Sequence, residues 1–249
     1  MSEPSFQDRR LSFGAGADRY DAVRPGYPSY AVVWGLHGAT RQVRDVADVG
    51  AGTGLFTRSL VDLGLAVRAF EPDGGMLDAL GARLPGIERA QAPAETLPLD
   101  DETLDAVTAA QAWHWFDPTA AATEFTRVLR PGGVVVLLWN MRDTRVPWMA
   151  SMSDIVDGGD SFRSNRTEAF AAIDAVHPGV VRADIPHRVL MTPDEVVGLL
   201  STYSYVRLRE DADDLYAAVR ELLATHPQTR ARALLHFPYV TATYRWVRP

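Results

Sequence analysis

A glycine turn, Gly50-Ala51-Gly52-Thr53-Gly54, follows the strand-like segment Val43 to Val49 without a spacer and precedes Phe56, Leu60 and Leu63 at helical spacing. Strand, tight turn and helix in that order open a βαβ unit, and little else accommodates them. The alternation then repeats. Leu65 to Phe70 reads as a second strand stopping at Glu71-Pro72-Asp73, and Met76, Leu80 and Leu84 form one face of a helix ended by Pro85-Gly86. Ile87 to Gln91 is a weak third strand, and Leu104 to Ala110 a fourth that runs into Gln111-Ala112-Trp113-His114-Trp115-Phe116-Asp117-Pro118. Ala121, Phe125, Val128 and Leu129 predict a helix, Arg130-Pro131-Gly132-Gly133 a turn, and Val134 to Trp139 the most apolar strand of the chain. The pattern predicts an open parallel sheet with crossover helices, in which ligands bind beyond the carboxyl ends of the strands.

The spacing of the turn narrows its ligand. A dinucleotide fingerprint places its third glycine where this chain has Leu55, and a phosphate-cradling loop needs a lysine. All 25 basic residues are arginine, so no lysine exists to serve. What remains is a compact nucleoside with a small charged tail, met by backbone N–H groups and the positive helix end. Glu71, at the end of the next strand, is placed to accept from ribose hydroxyls. Asp48, just before the first glycine, either shapes the turn by bonding backbone amides or reaches the ligand.

Asp48-Val49-Gly50-Ala51-Gly52-Thr53-Gly54, Glu71-Pro72-Asp73 with Met76-Leu77, Ala94-Glu95-x-Leu97-Pro98, Leu104-Asp105-Ala106-Val107 and Leu129-Arg130-Pro131-Gly132-Gly133 occur in order. Together they resemble the motifs of class I S-adenosylmethionine-dependent methyltransferases. Tyr20-x-x-x-Arg24-Pro25-Gly26-Tyr27-Pro28 and the Gln111 to Asp117 segment are similar to the type 11 branch that includes trans-aconitate methyltransferase-like enzymes. The resemblance implies a Rossmann-like, doubly wound, mostly parallel seven-stranded sheet with helices on both faces, an N-terminal lid and a helical insertion before the last strands. It implies S-adenosylmethionine as cofactor. Gly50, Ala51 and Gly52 would meet its methionine end, with Gly54 in the same cofactor-binding turn, Glu71 would hold its ribose, and Pro72 and Met76 would flank its adenine. Ala94 and Glu95 would sit at the adenine edge, Gln111 beside the sulfonium, and Tyr20 would close over the whole. Relatives commonly carry an aspartate before the Ala-Glu pair where this chain has Pro93.

One domain over residues 1–249 is expected: a lid over 1–42, a cofactor-binding core over 43–140, an acceptor-side helical region over 141–232 with a strand from Ile185 to Leu190, and a terminal strand over 233–249. Acceptor contacts are expected from Tyr27, His114, Trp115, Trp139, Arg142, Tyr203 and Tyr205, with Trp148, Met149 and Met152 as apolar surface and Arg145, Arg163 and Arg166 as further carboxylate forks. His114 is the candidate general base or acceptor anchor; the plainer reading is a ring packed between Trp113 and Trp115. A small, partly apolar or carboxylate-bearing acceptor is expected.

Cysteine is absent, which excludes disulfides, thiolate metal sites and cysteine nucleophiles, and no metal is expected. The formal net charge of -7 argues against nucleic acid or anionic lipid as partner. No apolar leader or spanning segment is visible, which points to the cytoplasm. The competing readings are a cofactor-binding protein without transfer activity and an NAD-dependent oxidoreductase on a similar sheet.

Overall fold

A computed structural model describes residues 24–157, 179–203 and 209–249, together with 173, 176, 177 and 206. Its centre is a sheet of seven strands in the order β3-β2-β1-β4-β5-β7-β6. In chain order these are β1 (Asp45–Val49), β2 (Ala66–Phe70), β3 (Glu88–Ala90), β4 (Leu104–Ala110), β5 (Leu129–Arg142), β6 (Val181–Met191) and β7 (Leu235–Val247). The first five are mutually parallel, whereas β7 pairs antiparallel with both β5 and β6. The helices are α1 (Ser29–Leu36), α2 (Leu55–Asp62), α3 (Gly74–Arg83), α4 (Pro118–Val128), α5 (Pro147–Asp157), α6 (Pro193–Ser201) and α7 (Ala212–Thr225).

The period of two along each strand sorts the core into two layers. Val46, Ala106, Val134, Val136 and Leu138 face α1 and α2, meeting Ala31, Val32, Phe56 and Leu60. Ala47, Val107, Val135, Leu137 and Trp246 face the opposite side, with Phe125 and Val128 of α4 and the fully buried Trp113. A third cluster joins α5, α6 and α7 to the far ends of β6 and β7 through Trp148, Met149, Met152, Leu200, Val219 and Phe237. The doubly wound architecture expected from the sequence is the one observed.

Three local expectations need correction. Arg130 to Gly133 does not separate helix from strand; α4 passes directly into β5, and these residues bulge between the pairs Leu104↔Leu129 and Ala106↔Val134. The glycines make that excursion possible, Gly132 having a φ of +80° and standing so close to Thr40 that a Cβ would collide with it. Helix α1, within the segment expected as a lid over 1–42, packs on the face of β5 as part of the core, where Gly35 brings it against Val136. Leu63, counted on the inner face of α2, is exposed beyond the helix end.

Candidate functional site

Because β1, β2, β4 and β5 run the same way, their carboxyl ends open on one side, and a cavity lies there. Its floor is the glycine turn. Gly50, Gly52 and Gly54 all have positive φ, of 68°, 56° and 87°. The expected presentation of amides to a ligand is not what forms: the N–H groups of Gly50 and Ala51 donate to the Phe70 carbonyl at 2.8 and 3.1 Å, and that of Gly52 donates to Glu71 Oε2 at 2.9 Å. The turn is folded back on β2, so these amides hold the protein together instead of pointing outward.

Two carboxylates border this end. Glu71 is only 7% exposed and lines the cavity, with Oε1 accepting from the Asp73 N–H at 3.0 Å while Oε2 holds Gly52. Pro72 removes one donor beside it, and Asp73 caps α3 by accepting from Met76 N at 3.0 Å. Asp48 is buried beneath, accepting from Thr57 Oγ1 at 2.6 Å and from Thr108 Oγ1 at 3.3 Å. Burial pushes its carboxyl up to about 7 against the pull of these two hydroxyls, and the nearby Glu71 charge pushes the same way.

The other end is built from distant segments converging on β5. Gln111, at the end of β4, sits at a φ of +55° and donates Nε2 to the Asn140 carbonyl at 2.9 Å. Asn140 Nδ2 donates to the Gly26 carbonyl at 3.1 Å, and its Oδ1 accepts from Thr241 Oγ1 at 2.7 Å. One amide thus ties the residues before α1 to the last strand. Arg24 donates to Thr202 and lies over the Tyr203 ring, 5.3 Å from its centroid. Tyr27 packs edge-on against Phe56 at 5.0 Å, and Trp115, Phe116, Leu199 and the buried Tyr239 complete the wall. Among the described lining residues the carboxylates, Asp48 and Glu71, come from the ends of β1 and β2, and the cation, Arg24, belongs to this opposite end.

The family model described as "Methyltransferase domain" matches residues 47–137. An uncharacterized methyltransferase of Mycobacterium tuberculosis is 40% identical over 249 residues, covering 97% of both chains. The chain belongs to the class I S-adenosylmethionine-dependent methyltransferases. An uncharacterized methyltransferase of Schizosaccharomyces pombe is 26% identical over 234 residues, 90% of this methyltransferase and 92% of that one. A protein from Anaeromyxobacter dehalogenans, solved as a candidate type II methyltransferase, is 26% identical with a TM-score of 0.71 over 90% of this chain and 98% of its own. A phosphoethanolamine N-methyltransferase of Haemonchus contortus in complex with S-adenosyl-L-methionine shares the fold alone, at 16% identity and a TM-score of 0.54 over all of this chain and 61% of that one.

Of the residues singled out in this methyltransferase's sequence, Asp48, Gly50, Ala51, Gly52, Glu71, Pro72, Met76, Gln111, Tyr27, Trp115 and Tyr203 line the one cavity. Others are placed elsewhere. Gly54 is hemmed in by Leu80, whose Cγ would lie 2.9 Å from a Cβ, so it serves helix packing. Ala94 is buried in the core, and Glu95 accepts from the Asp117 N–H at 2.8 Å, supporting the entry to α4. Trp139 points to the opposite sheet face and packs edge-on against Tyr244 at 5.8 Å. Arg142 is buried in an ion pair with Asp157 at 2.5 Å, its charge answered inside the protein, and exposed Arg145 pairs with Asp143. Trp148, Met149 and Met152 are core residues. Tyr20, Tyr205, Arg163 and Arg166 lie outside the described residues.

His114 is exposed, packs on Trp115 with centroids 4.8 Å apart, and is not among the residues lining the cavity. Replacing it with alanine is expected to leave affinity for S-adenosylhomocysteine within about twofold, the range of an ordinary surface substitution; titration calorimetry reads this directly. Sequence reasoning missed Asn140, Leu199 and Tyr239. The first was legible as the polar residue ending an apolar strand that enters the sheet's ligand edge. The other two come from segments whose approach no local pattern announces.

Proposed function

We propose that this methyltransferase moves a methyl group from S-adenosylmethionine to a small-molecule acceptor held at the Asn140 end of the cavity. One observation carries the reading: Glu71, a nearly buried carboxylate, faces the cavity with both oxygens fixed by main-chain amides, the state in which a carboxylate accepts further from paired ribose hydroxyls. The residues fit that cofactor. A Cβ at Gly52 would occupy the space between the turn and Met76, 3.8 Å from its sulfur, and Pro72 and Met76 offer apolar surface for a flat base.

When bound, the cofactor would supply an electrophilic methyl group that passes to the acceptor in line as its bond to sulfur breaks and the neutral thioether leaves, a reaction helped by alignment and the removal of water. Glu71 places negative charge at the end of the cavity proposed to hold the cofactor. Gln111, clamped by Asn140 in a left-handed conformation, fixes one polar group between the two ends of the cavity. Tyr27, Phe56, Trp115, Phe116 and Leu199 exclude solvent. Among the described lining residues there is no histidine, so an acceptor whose reacting atom is already ionised, or loses its proton to water, suits the site best.

Isothermal titration of the native protein with S-adenosylhomocysteine tests the reading. Saturable binding at one site per chain is expected. A flat titration at millimolar ligand sinks it.

A further inference from the structure

Tyr239 carries an oddity that cofactor binding does not use. The residue lines the cavity and is 2% exposed, and among the described residues its buried hydroxyl has no partner at full hydrogen-bond geometry, the Tyr203 hydroxyl being the polar group within its electrostatic reach. A buried hydroxyl left without a partner is destabilising, and native proteins keep such a group chiefly where something else completes it.

The surroundings say what would complete it. The ring is held: it stacks on His187, its cross-strand neighbour on β6, with centroids 5.4 Å apart and planes 18° from parallel. His187 Nδ1 lies 3.3 Å from Thr241 Oγ1, whose single proton goes to Asn140, so the imidazole must donate there. Burial also lowers its basicity, keeping it neutral. Burial raises the Tyr239 phenol well above its ordinary value, and the neighbouring Tyr203 adds to this through its charge and as a weak hydrogen-bond acceptor, while the charges of Arg24 and Arg142 act the other way without prevailing. Tyr239 therefore stays protonated and is a donor. Arg142 pairs with Asp157 and is not among the lining residues; Arg24, which donates to Thr202 and lies over the Tyr203 ring, is the cation among the described lining residues at this end.

We infer that Tyr239 orients the methyl acceptor by donating its buried hydroxyl to an oxyanion on it, a carboxylate or a phenolate, in the field of Arg24. The inference rests on the methyltransferase reading above and adds the charge class of the acceptor. A donor-rich, positive end favours an anionic oxygen and disfavours a protonated amine, which would meet Arg24 with like charge. Neutral amides can fill the space but forgo the charge-assisted bond.

The test uses the full chain loaded with S-adenosylhomocysteine and four probes of similar size: benzoate, 4-nitrophenolate at about pH 8, benzamide and benzylamine. Titration calorimetry should show benzoate or 4-nitrophenolate binding at least about tenfold tighter than benzamide and benzylamine. The stronger of the two anions distinguishes carboxylate from phenolate. Tyr239→Phe should weaken that anion about tenfold, leave affinity for S-adenosylhomocysteine unchanged, and leave the melting temperature equal or higher, because the lost hydroxyl had no partner at full hydrogen-bond geometry. A purely structural Tyr239 would instead lower the melting temperature and leave the anion's affinity alone. The inference is overturned if neither anion binds, if benzamide or benzylamine binds as well as the anions, or if Tyr239→Phe leaves anion affinity intact. Failure of the native protein to take up S-adenosylhomocysteine overturns the underlying reading instead, a result visible before any probe is added.

Discussion

Glu71→Ala is expected to lower affinity for S-adenosylhomocysteine by about a hundredfold, roughly 2.7 kcal/mol. Two losses combine. The ribose loses a charged acceptor, worth about 1.5–3 kcal/mol for hydrogen bonds to ionised groups. The glycine turn also loses the acceptor that holds Gly52 N–H at 2.9 Å, so the cavity floor must be reordered on binding. Glu71→Gln separates the terms: it retains one acceptor oxygen, but its amide can turn a donor toward Gly52 or Asp73 N–H, so an intermediate loss of affinity is expected. Circular dichroism on both variants distinguishes a damaged site from a damaged fold. Calorimetry giving Glu71→Ala an affinity within threefold of native would remove Glu71 from the binding surface and leave it as a brace for the turn.

A second large effect concerns pH. Asp48 ionises near 3.8 in an unfolded chain and at about 7 in the native protein. Between those values the native state holds a proton that the unfolded state has released, so stability falls as pH rises from about 4 to about 7 and then levels. A displacement of this size corresponds to roughly 4 kcal/mol across the window. His187 works in the opposite sense, since its lowered basicity costs stability as pH falls below 6.5. Comparison of native protein with Asp48→Asn cancels that contribution. Urea midpoints measured from pH 5 to pH 8 should decline for the native protein relative to the variant, which keeps an acceptor for Thr57 but cannot ionise. Parallel curves for the two proteins would show that the buried carboxyl stays charged throughout.

What the sequence disclosed and what it hid follow from where each motif falls on the sheet. Strands and crossover helices were readable between Arg44 and Asn140 because a parallel sheet buried on both faces requires continuous apolar runs, and amphipathic helices must cover them. The motifs themselves divide in two. Those at the carboxyl edge, the glycine turn, Glu71-Pro72-Asp73 and Gln111, build the cavity. Those at the amino edge are fasteners: Arg130 joins Asp45 and Asp105 at 2.9 Å each, tying the bulge at the start of β5 to β1 and β4. Glu124 accepts from Leu97 N–H at 2.6 Å and pairs with Arg127, which ties the segment after β3 to α4. A resemblance carries both kinds with equal force. The acceptor wall stayed hidden for another reason. Tyr239 reaches it through the antiparallel insertion of β7 between β5 and β6, a long-range pairing without a local signature.

The glycine turn has a wider implication. A side chain at Gly50 would strike Ala112 Cβ at 2.5 Å, and one at Gly54 would strike Leu80 Cγ at 2.9 Å, so packing alone demands glycine at both. Selection therefore acts on these two positions through foldability. A descendant that abandoned catalysis altogether would still be obliged to keep them, so the signature by which such chains are gathered into one lineage testifies to shared ancestry and sound assembly. Evidence that a given member is still a working enzyme has to come from the far wall, because Glu71, too, braces the turn through Gly52 and Asp73.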